Sequence, residues 1–348
     1  MIFGAVPLDQ AEGAILAHSE PLPGGRLRKG KVLDGADLRA LADAGHAMVT
    51  VARLEPGDMD EDTAALALAR ALVPDPAAAN LSVQAVGTGR VNITAAAPGL
   101  VRIDADAIAR LNTIDPAITV ATVPPLHRMD AGGMVATVKI IAYGVAVSAV
   151  QAACATGANA LSLSRPTVTG AVLIETQVGA APLGDKGRRV TAERLARLDV
   201  PLTDHILVPH DEAPLAQALG AAETGLILIL TASATSDIRD TAPAALVRAG
   251  GRVEHFGMPV DPGNLLFLGT LCSTPVIGLP GCARSPALNG ADWVLERIVC
   301  GVPVTAADIM AMGVGGLLKE IPSRPRPRQS PALPTSPKVA YRRVPSRA

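Results

Sequence analysis

The chain has 348 residues, a formal net charge of −1 and 49% apolar residues, yet aromatic residues make up only 2% of it. That length allows two domains with real cores, filled by many Ala, Val and Leu side chains rather than by rings. A charge so near zero argues against a surface devoted to nucleic acid.

Met1–Pro7 carries no basic stretch and no long apolar run, so no signal peptide is expected. The apolar runs Met134–Val150 and Leu226–Leu230 are interrupted or short, and neither reads as a membrane span. Cys154, Cys272, Cys282 and Cys300 form no Cys-x-x-Cys pair. That disfavours a zinc or disulfide framework and makes a reducing cytoplasm the expected home.

Residues 1–163 read as a smaller, mixed α+β region. Pro7–Ala17 is a short strand or helix. A strand then leads into a helix capped by Asp37 and stopped by Gly45. Val49–Ala52 is a strand, and Asp60–Leu72 a helix with Pro74 beyond its end. Strands are expected at Val91–Thr94, Ile118–Val123 and Met134–Tyr143, and a helix at Val145–Gly157.

Residues 166–320 alternate strand and helix. Ala171–Ile174, His205–Val208, Leu226–Leu230 and Val276–Leu279 are short apolar runs, as in strands buried on both faces. Val253–Phe256 is a further strand. Thr191, Asp211 and Asp240 are each placed to cap a helix between them. The pattern implies an α/β domain of three layers around a mostly parallel sheet, whose ligands bind beyond the carboxyl ends of the strands. Residues 323–348 hold seven Lys and Arg, no acid and many prolines, and read as a disordered basic tail.

Three loops carry candidate chemistry. Thr231-Ala-Ser-Ala-Thr-Ser-Asp-Ile-Arg-Asp240 follows a buried strand and precedes a helix. Its small residues let backbone N–H groups approach a phosphate, and Ser233, Thr235 and Ser236 add hydroxyls. Asp237 and Asp240 suit a Mg²⁺ that bridges phosphate oxygens. The bland alternative is that these residues merely cap a helix. Gly257–Asn264 contains Pro262 and Gly263, a rigid turn on its plainest reading. Gly278–Pro286 contains Gly281, which allows φ above zero or close ligand contact, and Arg284 and Ser285, with Arg284 able to pair with a phosphate. Cys282 has no His near it in sequence and reads as a small apolar residue, not a nucleophile. Trp293 has helical spacing with Val294, Leu295 and Ile298 and reads as core.

The order of these segments, from Thr231–Asp240 through His255–Asn264 to Gly278–Gly281, resembles the MoaB/Mog-type molybdopterin-binding domain, closest to its molybdopterin molybdotransferase (MoeA-like) branch. The resemblance spans roughly Pro166–Val314 and is weak before it. Asp185 and Asp211 fall where that family has acids before its first long helix and after its second strand. The departures are specific: Ala232 and Ser233 replace a glycine pair, Ser236 replaces the glycine before Asp237, and Cys282-Ala283 replaces Asn-Pro.

The resemblance implies molybdopterin as ligand or substrate, and Mg²⁺, a metal that Asp185, Asp237 and Asp261 would hold. It implies Asp237 and Asp185 as catalytic residues of adenylyl transfer or molybdate insertion. Other partners implied are a nucleotide, a molybdoenzyme or a nucleotidyltransferase, and a second copy of the chain. The lost glycines keep a second reading open, a non-catalytic module that carries or presents the cofactor. A CinA-like nucleotide pyrophosphatase ranks last, because the upstream half does not look like its companion.

Overall fold

The computed structural model describes residues 1–179 and 184–318, so the expected tail at Ser323–Ala348 lies outside the described residues. The chain opens with β1 (Ile2–Pro7), β2 (Ile15–Leu16), the hairpin β3 (Glu20–Leu22) and β4 (Gly25–Leu27), α1 (Gly35–Asp43) and β5 (Met48–Arg53). β5 is the centre of a small antiparallel sheet, β1-β5-β2. Leu16, Leu33, Leu41, Val49 and Val51 fill a core of their own beneath it. Asp34, not Asp37, caps α1. Asp37 is the third residue of the helix and closes a capping box by accepting from the Asp34 N–H.

β6 (Asp58–Asp60), α2 (Glu61–Leu72), β7 (Leu81–Gly87), β8 (Arg90–Ala95), β9 (Gly99–Ile103), α3 (Ala105–Leu111), β10 (Ile118–Thr122), β11 (Arg128–Met129), β12 (Met134–Ile140), β13 (Gly144–Ala146), α4 (Val147–Thr156) and β14 (Leu161–Ser164) gather a second core. Asp60 caps α2, and Ala64, Leu68 and Leu72 line its buried face. The expected strand Met134–Tyr143 ends at Ile140, and the expected helix starts only at Val147. Between them Gly144–Ala146 pairs with Asp58–Asp60. A Cβ on Gly144 would stand 2.1 Å from Leu54 Cδ2, so this residue marks a close crossing rather than a helix start.

The remaining elements are β15 (Ala171–Gln177), α5 (Lys186–Ala196), β16 (Leu202–Pro209), α6 (Glu212–Ala221), β17 (Ile227–Leu230), α7 (Thr241–Arg248), β18 (Arg252–Phe256), β19 (Phe267–Leu271), β20 (Thr274–Leu279), α8 (Gly290–Val299) and α9 (Ala306–Ala311). Their six strands form one sheet in the order β16-β15-β17-β20-β19-β18. β16, β15, β17 and β20 run parallel, while β19 is antiparallel to both of its neighbours. The sheet is therefore mixed. Leu195, Leu198, Val294, Leu295 and Val299 cover one face, and Leu215, Leu219, Ala245 and Leu246 the other.

Helix starts follow the local chemistry. Asp211 caps α6 and Asp240 caps α7. Thr191 is no cap: α5 begins after Asp185, and Thr191 is buried in its middle. β16 is an edge strand with Leu207 exposed, not one buried on both faces. Inside the sheet Gly278 is fixed by packing. A Cβ there would overlap the buried ring of Phe267 at 1.9 Å.

The two halves meet at α8. Leu100 of β9 lies in the same apolar cluster as Val294 and Leu295, and Arg128 Nε reaches Glu296 Oε1 at 3.4 Å. Burial, reinforced by the charge of Asp292, pushes the Glu296 carboxyl up to about 8 against the pull of Arg128, Arg194 and Arg297. The unfolded chain releases this proton near its ordinary value of 4.5. Folding therefore takes up a proton between those values. Glu296 contributes stability in full below pH 4.5 and loses it progressively as the pH rises to about 8. Denaturant titrations from pH 4.5 to 8.5 are expected to show a downward slope that Glu296→Gln flattens.

Candidate functional site

Four parallel strands end at one edge. Register places Leu230 beside both Glu175 and Leu279, so the loops after β17 and β20 start as neighbours. This is the edge where parallel α/β sheets bind ligands.

The edge is organised by a carboxylate that the sequence pattern hides. Glu175, at the end of an apolar run, is 1% exposed. Its Oε2 lies 2.9 Å from His205 Nε2 on β16, and its Oε1 3.5 Å from Arg284 Nη2. The same Nη2 donates to the Thr231 carbonyl at 3.1 Å. The first turn of α5 lies over the acid, where a Cβ on Gly187 would stand 2.4 Å from Oε1. That close approach explains why a glycine occupies the second position of α5. A helix N-terminus so placed adds its dipole to the guanidinium and imidazole that hold the acid. Beside it Thr176 Oγ1 accepts from the Ala232 N–H at 2.9 Å and bonds His210 Nδ1 at 2.8 Å.

Thr231–Asp240 curls back on itself. Thr231 Oγ1 donates to the Ser233 carbonyl at 2.6 Å and meets Thr235 Oγ1 at 3.3 Å, both residues being buried. Ala232, Ser233, Ala234 and Ser236 are exposed. The Ser236 N–H donates to Asp240 Oδ2 at 3.1 Å. The N–H groups of Ser233, Ala234 and Thr235 are used by no bond within the described residues.

Gly281–Arg284 forms a short 3-10 turn. Arg194 of α5 clamps it from behind, donating to the carbonyls of Ala283 at 2.6 Å and Ser285 at 2.7 Å and pairing with Asp292. Gly281 does not take φ above zero, and a Cβ there would meet nothing. Cys282 is exposed, and its Sγ accepts from Asn289 Nδ2 at 3.1 Å.

The sequence-derived residues thus divide. Thr231, Ser233, Thr235, Ser236, Gly281, Arg284 and Ser285 lie on two adjoining loops. Pro262 and Gly263 dock on the start of α8: the Gly290 N–H donates to the Pro262 carbonyl at 2.8 Å, and a Cβ on Gly263 would stand 3.0 Å from Gly290 Cα. The Asp261 backbone is tied to Gly316 and Leu318. Asp237 gives Oδ1 to Arg239 Nε at 2.8 Å and Oδ2 to Arg239 Nη2 at 3.1 Å, and this guanidinium holds its carboxyl down at about 2. Asp185 pairs with Arg188 at 2.6 Å, which lowers its carboxyl in the same way.

Among the described residues no group of three or more His, Cys, Asp or Glu is placed to hold a metal ion. Both Asp237 oxygens are held by Arg239. No helix among the described residues is long and apolar enough to cross a membrane.

Glu175, Thr176, His205, His210 and Arg194 escaped the sequence reading. The available signal was an acid continuing a strand-like run, Ala171-Val-Leu-Ile-Glu175. Glu175→Ala leaves two cationic or polar partners facing an apolar gap. A loss of about 3 kcal/mol is expected, the low end for one member of a buried pair because His205 and Arg284 keep some solvent. Glu175→Gln, which keeps the shape, is expected to lose less. Urea midpoints of the two variants check both.

A family model described as a domain of unknown function (DUF8806) matches residues 5–53, the segment of the first small core. No curated protein matches. Among solved structures the chain is similar to a molybdopterin biosynthesis MoeA protein from Pyrococcus horikoshii, at 12% identity and a TM-score of 0.30, over 86% of this chain and 75% of that one. It is similar to the molybdopterin biosynthesis enzyme MoaB from Thermus thermophilus, at 18% identity and a TM-score of 0.24, over 39% and 98%. A second MoeA structure, also from Pyrococcus horikoshii, gives 11% identity and a TM-score of 0.24, over 87% and 76%.

Proposed function

We propose that the chain binds molybdopterin at the carboxyl edge of the six-stranded sheet, and that residues 166–320 are a three-layer MoaB/Mog-like domain serving molybdenum-cofactor assembly. The observation that carries the reading is the pairing of two loops. Thr231–Ser236 offers three uncommitted N–H groups, and Arg284 sits between that loop and Glu175. A phosphate monoester there meets oriented dipoles and a guanidinium, the usual means of holding such an anion. The exposed small side chains of Ala232, Ser233 and Ala234 keep the approach low, and the open space at Gly281 leaves room for the pterin.

The acids shape a second reading, a carrier that binds without turnover. Asp237 spends both oxygens on Arg239. That pair is exposed and therefore weak, so a nucleotide phosphate could draw Arg239 away and free the acid.

Molybdopterin released from a molybdoenzyme and titrated calorimetrically tests the site. Arg284→Ala is expected to weaken binding at least about tenfold, the scale of one charge-assisted contact. Unchanged affinity would overturn the assignment. Asp237→Ala then separates the two readings. With ATP and molybdate supplied, a transferase loses about a hundredfold or more in turnover. A carrier shows no turnover in either form, and its pterin affinity shifts.

A further inference from the structure

A second concave surface lies away from the loops. α8 starts at the carboxyl edge, where Asn289 caps it, and ends beside Thr167, which precedes β15 and bonds the Val299 carbonyl at 2.8 Å. Trp293, Glu296 and Arg297 share one face of this helix by their i, i+3, i+4 spacing. Opposite stand Pro124–Arg128 of the amino-terminal half and Asp308, Ala311 and Met312 of the α9 region. The groove between them holds about 810 Å³, within the roughly 300–1,000 Å³ of small-molecule sites.

The groove's charges are unevenly satisfied. Arg128 is spent on Asp130 at 2.6 Å and on Glu296. Asp308 Oδ2 is spent on the Thr305 N–H and hydroxyl. Burial pushes the Glu296 carboxyl up to about 8, which weakens the charge it returns to Arg297. The Arg297 guanidinium donates no hydrogen bond among the described residues, although burial disfavours its charge and only the fields of Asp308 and Glu296 support it. A half-buried guanidinium with unused donors, beside an indole and the apolar side chains of Leu126, Leu288 and Met312, is a receptor for charge and ring together.

We propose that this groove is a second ligand site, taking a small organic anion: a carboxylate or phosphate monoester on an aromatic body, with its charge on Arg297 and its ring against Trp293. The site does not depend on pterin binding at the carboxyl edge.

Trp293 is the chain's single tryptophan, so its emission, excited selectively over tyrosine, reports the groove alone. The probes are phenyl phosphate and benzoate, with neutral benzyl alcohol as control. A saturable change with either anion is expected, with benzyl alcohol at least tenfold weaker. Arg297→Met should weaken the anions at least tenfold, Arg297→Lys should restore part of the loss, and Arg284→Ala should leave the response unchanged. Equal response to benzyl alcohol, no saturation with either anion, or full response in folded Arg297→Met would each overturn the proposal. The charged and neutral probes on the unaltered protein decide it even if Arg297→Met does not fold.

Discussion

A carboxylate removed from water near the carboxyl end of β15 sets the geometry of the carboxyl edge. Glu175 is tolerable there only because His205, Arg284 and the first turn of α5 converge on it. Each partner comes from a different segment, so satisfying one charge fixes the middle of β16, the turn after β20 and the start of α5. Arg284 in turn holds the Thr231 carbonyl, which sets where the loop after β17 departs. Electrostatic need, more than apolar burial, gives these loops a common geometry.

A second clamp works from behind. Arg194 donates to two carbonyls of the turn and pairs with Asp292, which itself completes the capping box of α8. Burial raises the Asp292 carboxyl while Arg194 pulls it down. The pair lies inside a network of caps and carbonyls, which distinguishes it from the exposed Asp237–Arg239 and Asp185–Arg188 pairs. The former holds backbone in place. The latter are surface pairs of small energetic weight.

The sequence was most legible where apolar runs were short and bounded. The runs Leu226–Leu230 and Val276–Leu279 read as strands and correspond to β17 and β20, and Asp211 and Asp240 were recognisable caps. β19 left no such trace. It forms a hairpin with β20 across Cys272–Ser273, and Cys272 takes φ 54° where Asn or Gly is the usual signal. β15 was cut short at Ile174 because an acid breaks an apolar pattern, although its burial depends on partners 30 and 109 residues away in sequence. Candidate site residues on loops were readable as types. Which of them share a surface was decided by those distant partners. Thr191 failed as a cap for a local reason: Gly187 had to pass close to Glu175, so the helix was already under way.

The substituted glycines bear on what a bound phosphate would experience. Ala232 and Ser233 carry side chains where the resemblance expects bare backbone, and the Ala232 N–H is already given to Thr176. The N–H groups left over follow it, at Ser233, Ala234 and Thr235, displaced along the loop rather than lost. Under the proposed reading these donors and Arg284 act on the phosphate before any chemistry occurs. Arg284 is anchored on Glu175 and Thr231, so its position changes little between bound ligand and transition state. Interactions that are equal in both states tighten binding without speeding reaction. A fixed donor speeds reaction only as far as charge grows within its reach in the transition state, and Arg239, exposed and paired with Asp237, is a cation of this edge held by a weak surface pair.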